Sequence, residues 1–145
     1  GLAGYPLADI RVTLFDGSYH AVDSSEISFK IAASYALKNG MSQGQPVLLE
    51  PIMNIHITIP DNFTGDVMSD LNSKRARVMG MSPGGGINHI DAQAPLAEML
   101  RYATDLRAIT QGRGTHTMEY SHYEQVPPHA AQKIIAESKK EPEKA

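Results

Sequence analysis

At 145 residues, 41% of them hydrophobic and 20% charged, the chain has room for one ordinary domain or two small ones and the composition of a soluble globular protein. A net charge of −3 argues against a generally basic nucleic-acid coat while permitting a local basic patch, and zero Cys excludes disulfides, thiolate nucleophiles and Cys-ligated zinc. No run of about 18 apolar residues is present to span a bilayer. The N-terminus, GLAGYPLADI, has neither the basic n-region nor the apolar h-region of a secretion signal, and its lack of an initiator Met points to an excised fragment.

Ala8 to Phe15 alternates, with Ile10, Val12 and Leu14 on one face and Asp9, Arg11 and Thr13 on the other, which predicts a half-buried strand ended by Asp16-Gly17. Asp23-Ser24-Ser25-Glu26 has the form of a capping box, and behind it Ile27, Ile31 and Tyr35 make a helical stripe that fades at Asn39-Gly40. Met41 to Gln45, rich in Gly, Ser and Gln, reads as a linker, so a first domain is placed at 1–45. In the next segment, 46–127, Leu48 to Ile59 is a long strand with Met53, Ile55, Ile57 and Ile59 on one face. Pro60-Asp61-Asn62 starts a helix carrying Phe63, Val67 and Leu71.

Ala76 to Met81 and Ile87 to Ala94 then read as strands joined by a hairpin at Pro83-Gly84-Gly85-Gly86. Pro95 opens a helix with Leu96, Met99, Leu100, Ala103 and Leu106 inward, and Thr115 to Tyr123 is the last strand. The order βαββαβ predicts an α+β fold, a ferredoxin-like sandwich of two helices on a four-stranded antiparallel sheet. A final helix runs from about Pro128 to Lys140 in the segment 128–145, whose charged end, SKKEPEKA, is expected to fray.

The stretch YATDLRAITQGRGTHTMEYSHYEQVP, Tyr102 to Pro127, closely resembles the C-terminal end of bacterial elongation factor G, the translational GTPase that drives ribosomal translocation. GYPLADIRVTLFDGSYHAVDSSEISFKIAA is similar to the second half of that family's fourth domain. PVLLEPIMNIHITIP and GDVMSDLNSKRARVMGM are similar to the start of its fifth. The resemblance implies a partial α/β fourth domain, a ferredoxin-like fifth domain and a C-terminal helix that packs back on the fourth. It implies a cytoplasmic, ribosome-binding piece that meets rRNA of both subunits, and tRNA and mRNA at the decoding site. GTP and its magnesium ion belong, on this reading, to a G domain outside the chain, so the piece is expected to be no enzyme and to carry no cofactor. A fourth domain without its first strands exposes a sheet edge and an apolar face, so either self-association through that edge or disorder before about Gln45 is expected.

By the same resemblance Asp16, Gly17, Ser18, Tyr19 and His20 form the tip that reaches the decoding centre. His20 is the leading candidate, because an imidazole stacks on bases and bonds phosphates. Lys74, Arg75 and Arg77, at the end of the first helix of the fifth domain, are candidates for rRNA phosphate contact, with Arg101, Arg107 and Arg113 extending that surface. A basic residue closing a helix is also favoured by the helix dipole alone. Gly112 and Gly114 are assigned to the turn for their tolerance of positive φ. Tyr102, Thr104 and Asp105 stand between RNA contact and ordinary intramolecular roles. Two departures from the family pattern are the uncharged loop Ser82–Gly86 and His116, where an aromatic residue is common.

Other chemistry finds no support. The pattern G-x-x-x-x-G-K-[ST] is absent, and Gly84 to Gly86 has no following Lys. His56, His89, His122 and His129 show no metal-binding spacing, so no metal site is expected. No nucleophile elbow occurs, and Pro60 to Phe63 lacks the Arg-bearing loop of an acylphosphatase-type hydrolase. The alternatives to a translocation factor are a paralogue for ribosome recycling or ribosomal protection, and a stand-alone ferredoxin-like RNA-binding module.

Overall fold

The computed structural model describes residues 1–140 and divides into two units, Leu49–Val126 and, separately, Gly1–Leu48 with the chain from Pro127 onward. The helix α1 (Glu26–Gln43) lies in the latter. In Leu49–Val126 the chain runs β1 (Leu49–Pro60), α2 (Thr64–Ser73), β2 (Arg77–Gly84), β3 (Ile87–Pro95), α3 (Tyr102–Ile109) and β4 (Thr115–Gln125). The strands form one antiparallel sheet in the order β2-β3-β1-β4, with β1 paired to both β3 and β4. This is the expected α+β sandwich. Ile55, Ile57 and Ile59 of β1 and Ile90, Ala92 and Ala94 of β3 meet Val67 and Leu71 of α2 and Tyr102 and Leu106 of α3 in one buried cluster. Period-2 alternation on the strands and a three-to-four spacing on the helices place all of them on facing surfaces.

Local chemistry explains the connections. Gly84 pairs with Ile87, which leaves Gly85 (φ 63°) and Gly86 (φ 80°) as the two central residues of the hairpin. Both φ values are positive, as a two-residue primed turn requires, and glycine adopts them without a Cβ penalty. The strands are interrupted twice. Met79 is an extra residue in β2 between the pairs Val78–Ala92 and Gly80–Asp91, and Ser121 is an extra residue in β4 between the partners of Ile52 and Met53.

The helix expected from Pro95 differs from its sequence reading. Pro95 ends β3 and leads into a 3-10 turn at Leu96–Glu98, and α3 begins only at Tyr102. The tighter turn shifts the helical phase. Met99, Tyr102 and Leu106 therefore face the core, whereas Leu100 is 74% exposed and Ala103 is also exposed.

The unit Gly1–Leu48 with the C-terminal segment is built otherwise. A short turn at Leu2–Gly4 lies beside α4 (Pro128–Ser138), which starts with a proline in its first turn. Ala8–Phe15 forms no strand, contrary to its alternation. A strand exists through its ladder, and this segment pairs with no other among the described residues. Its apolar side chains are open, Leu14 at 91% and Phe15 at 93% exposure.

The start of α1 also corrects the capping-box reading. Ser25 is the N-cap, accepting from the Ser28 N–H at 3.2 Å, while Glu26 pairs with Lys30 at 2.6 Å instead of reaching back toward Asp23. The helix continues through Gly40 to Gln43 and closes at Gly44, whose N–H donates to Gly40 and Met41. A mid-helix glycine costs only about 1 kcal/mol relative to alanine, so Gly40 does not end it. No residue of α1 is buried, and the stripe Ile27, Ile31 and Tyr35 lies exposed. The last part of the charged tail, residues 141–145, lies outside the described residues.

Candidate nucleic-acid interface

Asp16, Gly17, Ser18, Tyr19 and His20, the residues expected to form a tip, occupy an exposed, non-helical segment between the unpaired Ala8–Phe15 stretch and α1. Asp16 Oδ1 accepts from the Gly17 N–H at 2.8 Å, a local turn bond. His20 is held more elaborately. Its N–H donates to Ser24 Oγ at 2.7 Å, and its carbonyl accepts from the Ser24 N–H at 2.9 Å. On the ring, Nδ1 lies 3.3 Å from the Val22 N–H nitrogen and 3.3 Å from Asp23 Oδ2. A turn anchored to the start of α1 thus positions His20.

The basic residues separate into two groups. Lys74 closes α2 with its ammonium 2.7 Å from Asp70 Oδ1 and 3.1 Å from Asp105 Oδ2. Burial alone would lower its pKa; the hydrogen bonds and charges of Asp70 and Asp105 outweigh it and hold the ammonium above its ordinary value. Arg75 follows in the left-handed region (φ 56°), with the Ala76 N–H donating back to Leu71 O at 3.1 Å and the Arg75 N–H to Asn72 O at 3.4 Å. This is a Schellman closure, and its left-handed position ordinarily favours glycine.

What an arginine does there is shown by its head group. The guanidinium donates twice to the Glu50 carboxylate, at 2.7 and 3.0 Å, and once to Glu98 at 3.2 Å. Hydrogen bonding to Glu50 is the main cause of its raised pKa. Arg77 is exposed on β2 and pairs with Glu124 at 2.6 Å; Glu124 also accepts from His122 at 2.8 Å, and these two bonds, His122 first, lower its pKa. Lys74, Arg75 and Arg77 are close in sequence, yet each is directed to different carboxylates.

Arg101, Arg107 and Arg113 form the second group. All three are exposed, and none has a carboxylate partner among the described residues. Arg113 lies in the turn after α3 with its guanidinium 5.0 Å from the Phe63 ring centre. In that turn Gln111 (φ 54°) and Gly112 (φ 81°) take the left-handed positions, and the Gly112 N–H donates to Arg107 O at 2.8 Å. Gly114 serves packing rather than dihedral freedom, since a Cβ there would stand 2.7 Å from Thr110 Oγ1. The Thr110 hydroxyl accepts from the Gly114 N–H and donates to Leu106 O, both at 2.7 Å, which ties the turn to the helix.

Of the remaining candidates, Tyr102 is buried and unavailable to RNA, with His116 edge-on to its ring at 5.0 Å and 79°. Burial, and then the charges of Asp70 and Asp105, push its phenol far above the ordinary range. Burial lowers the His116 pKa. Asp105 is engaged by Lys74, and Thr104 is exposed.

A cluster on the sheet face away from the helices has no counterpart in the sequence reading. His56 Nδ1 lies 2.6 Å from Asp91 Oδ1 on β3, and its Nε2 lies 3.4 Å from Glu119 Oε1 on β4. These hydrogen bonds, Asp91 first, raise its pKa. Alternation already placed His56 on the polar face; its partners follow only from strand register. The glycine-rich hairpin at Gly84–Gly86 joins two strands and leads into no helix, so the chain offers no cradle for a nucleotide phosphate there.

Comparison with known proteins agrees with this architecture. Residues 1–45 match the family model for elongation factor G, domain IV, and residues 47–134 match that for the elongation factor G C-terminus. The chain is 56% identical over 136 residues to elongation factor G of Aquifex pyrophilus, a match covering 94% of this chain and 20% of the relative. A crystal structure of a protein from Thermus thermophilus superposes with a TM-score of 0.72 at 47% identity, covering 88% of this chain and 19% of that one. The chain belongs to the elongation factor G family and spans about a fifth of the length of the relatives it matches.

Proposed function

We propose that the chain is the ribosome-contacting C-terminal part of a translational GTPase that promotes movement of tRNA and mRNA through the ribosome, and that it binds and positions without hydrolysing GTP itself. The observation that carries this reading is the match of two consecutive family models, in order, along nearly the whole chain. GTP and its magnesium ion would be held by the four fifths of the relatives' length that the chain does not span. The tip, Asp16 to His20, is directed to the decoding site, where an exposed imidazole on a tethered turn meets RNA. For rRNA the reading rests first on Arg101, Arg107 and Arg113, which are exposed and have no carboxylate partner among the described residues. Lys74, Arg75 and Arg77 would each have to surrender an ion pair to meet a phosphate. A cytoplasmic location belongs to this proposed role. Among the described residues no helix is long and apolar enough to cross a membrane.

The test is ribosome binding by the full-length factor across a salt series. Replacing Arg101, Arg107 and Arg113 by Gln should weaken binding and flatten the salt dependence by roughly one unit of slope per lost phosphate contact. An unchanged slope would sink the assignment of those three residues. Equal affinity for ribosomes and unrelated RNA at physiological salt would sink the ribosome-specific reading as a whole.

A further inference from the structure

We propose that Ser24 is a positioning residue for His20, fixing the backbone from which the imidazole is delivered. The proposal rests on the reading of His20 as the residue brought to RNA. Two bonds close a ring between these residues, His20 N–H to Ser24 Oγ at 2.7 Å and Ser24 N–H to His20 O at 2.9 Å. Both backbone polar groups of His20 are therefore committed to one residue. Ser24 directly precedes the N-cap Ser25, and the Ser28 hydroxyl donates to Asp23 O at 3.0 Å, so the first turn of α1 anchors the clamp.

The side chain is oriented by the same turn. The Val22 N–H nitrogen and Asp23 Oδ2 each lie 3.3 Å from the ring Nδ1. Nδ1 is thus occupied within the turn, which leaves Nε2 as the outward ring nitrogen. The segment has no sheet to stiffen it, since Ala8–Phe15 forms no strand. The Ser24 clamp therefore supplies order that a hairpin would otherwise provide.

The experiment uses the full-length factor with His20→Ala, Ser24→Ala, Ser24→Thr and the His20→Ala/Ser24→Ala pair. Loss of one neutral hydrogen bond should slow single-round translocation about two- to tenfold in Ser24→Ala. GTP turnover should be unchanged, and Ser24→Thr, which keeps the hydroxyl, should restore the rate. In the His20→Ala background Ser24→Ala should add nothing, because a residue acting only through His20 has no target left. Hydrogen exchange at the His20 amide should accelerate in Ser24→Ala. Wild-type rate in Ser24→Ala, additive losses in the pair, or unchanged exchange would each overturn the proposal. A His20→Ala variant that translocates normally would sink the underlying reading of His20 and the proposal with it, a failure recognisable because His20→Ala alone then loses its effect.

Discussion

Leu49–Val126 and Gly1–Leu48 contain similar raw material, apolar residues in clear periodic patterns, and use it differently. In the former, twelve residues from β1, β3, α2, α3 and the turns leading into the helices close a common core. In the latter the alternating Ile10, Val12 and Leu14 and the helical stripe Ile27, Ile31 and Tyr35 are all exposed. Periodicity makes a face; only a second face facing it makes a core. The difference teaches that the same sequence signal has structural force in proportion to the partners within reach.

The largest effect should come from the core. Leu71→Ala is expected to cost about 2–5 kcal/mol and Leu14→Ala no more than about 0.5 kcal/mol, as chemical denaturation of this chain would show. Equal losses would erase the contrast between the two regions. Glu50→Ala leaves the Arg75 guanidinium without its bidentate partner in a half-buried site and should cost about 1–3 kcal/mol. A negligible loss would free Arg75 for the phosphate-binding role its sequence position proposes.

Open apolar side chains should also betray themselves by association. Sedimentation of this chain at rising concentration should show self-association that Leu14→Ser with Phe15→Ser reduces. A monomer at all concentrations would remove that expectation.

The smallest effect is electrostatic, and two histidines oppose each other in it. His56 has a folded pKa above the ordinary 6.5, so its stabilisation is fully present below about 6.5 and is lost as pH rises through the folded value. His116 has a folded pKa below 6.5, so its contribution is present above about 6.5 and is lost as pH falls through its folded value. Melting profiles between about pH 5 and 8 should therefore tilt toward higher stability at higher pH in His56→Gln. Superimposable profiles would show that the Asp91–His56–Glu119 array carries no pH-linked energy.

Much of Leu49–Val126 was legible before the structure. Phe63, Val67 and Leu71 lie four apart, Ile55, Ile57 and Ile59 of β1 two apart, and paired glycines mark the hairpin; each is a local rule whose outcome a neighbour did not alter. Leu100 was misplaced because a 3-10 turn inserted ahead of α3 reset the helical phase, and no propensity signals that reset. The pairing of Lys74 with Asp105 and of Arg75 with Glu50 joins residues far apart in sequence, so a run that reads as one basic patch dissolves once side chains find their carboxylates. Asp16 to His20 are marked in the sequence by resemblance alone; the Ser24 bonds around His20 follow only from the fold of the turn.

The extra residues Met79 and Ser121 sit in β2 and β4, the two outermost strands of the order β2-β3-β1-β4. An outer strand with an irregular row of N–H and C=O groups is a poor template for a further strand. Both flanks of this sheet are thereby guarded against open-ended lateral growth. Neighbouring copies can then crowd together without one sheet extending into the next.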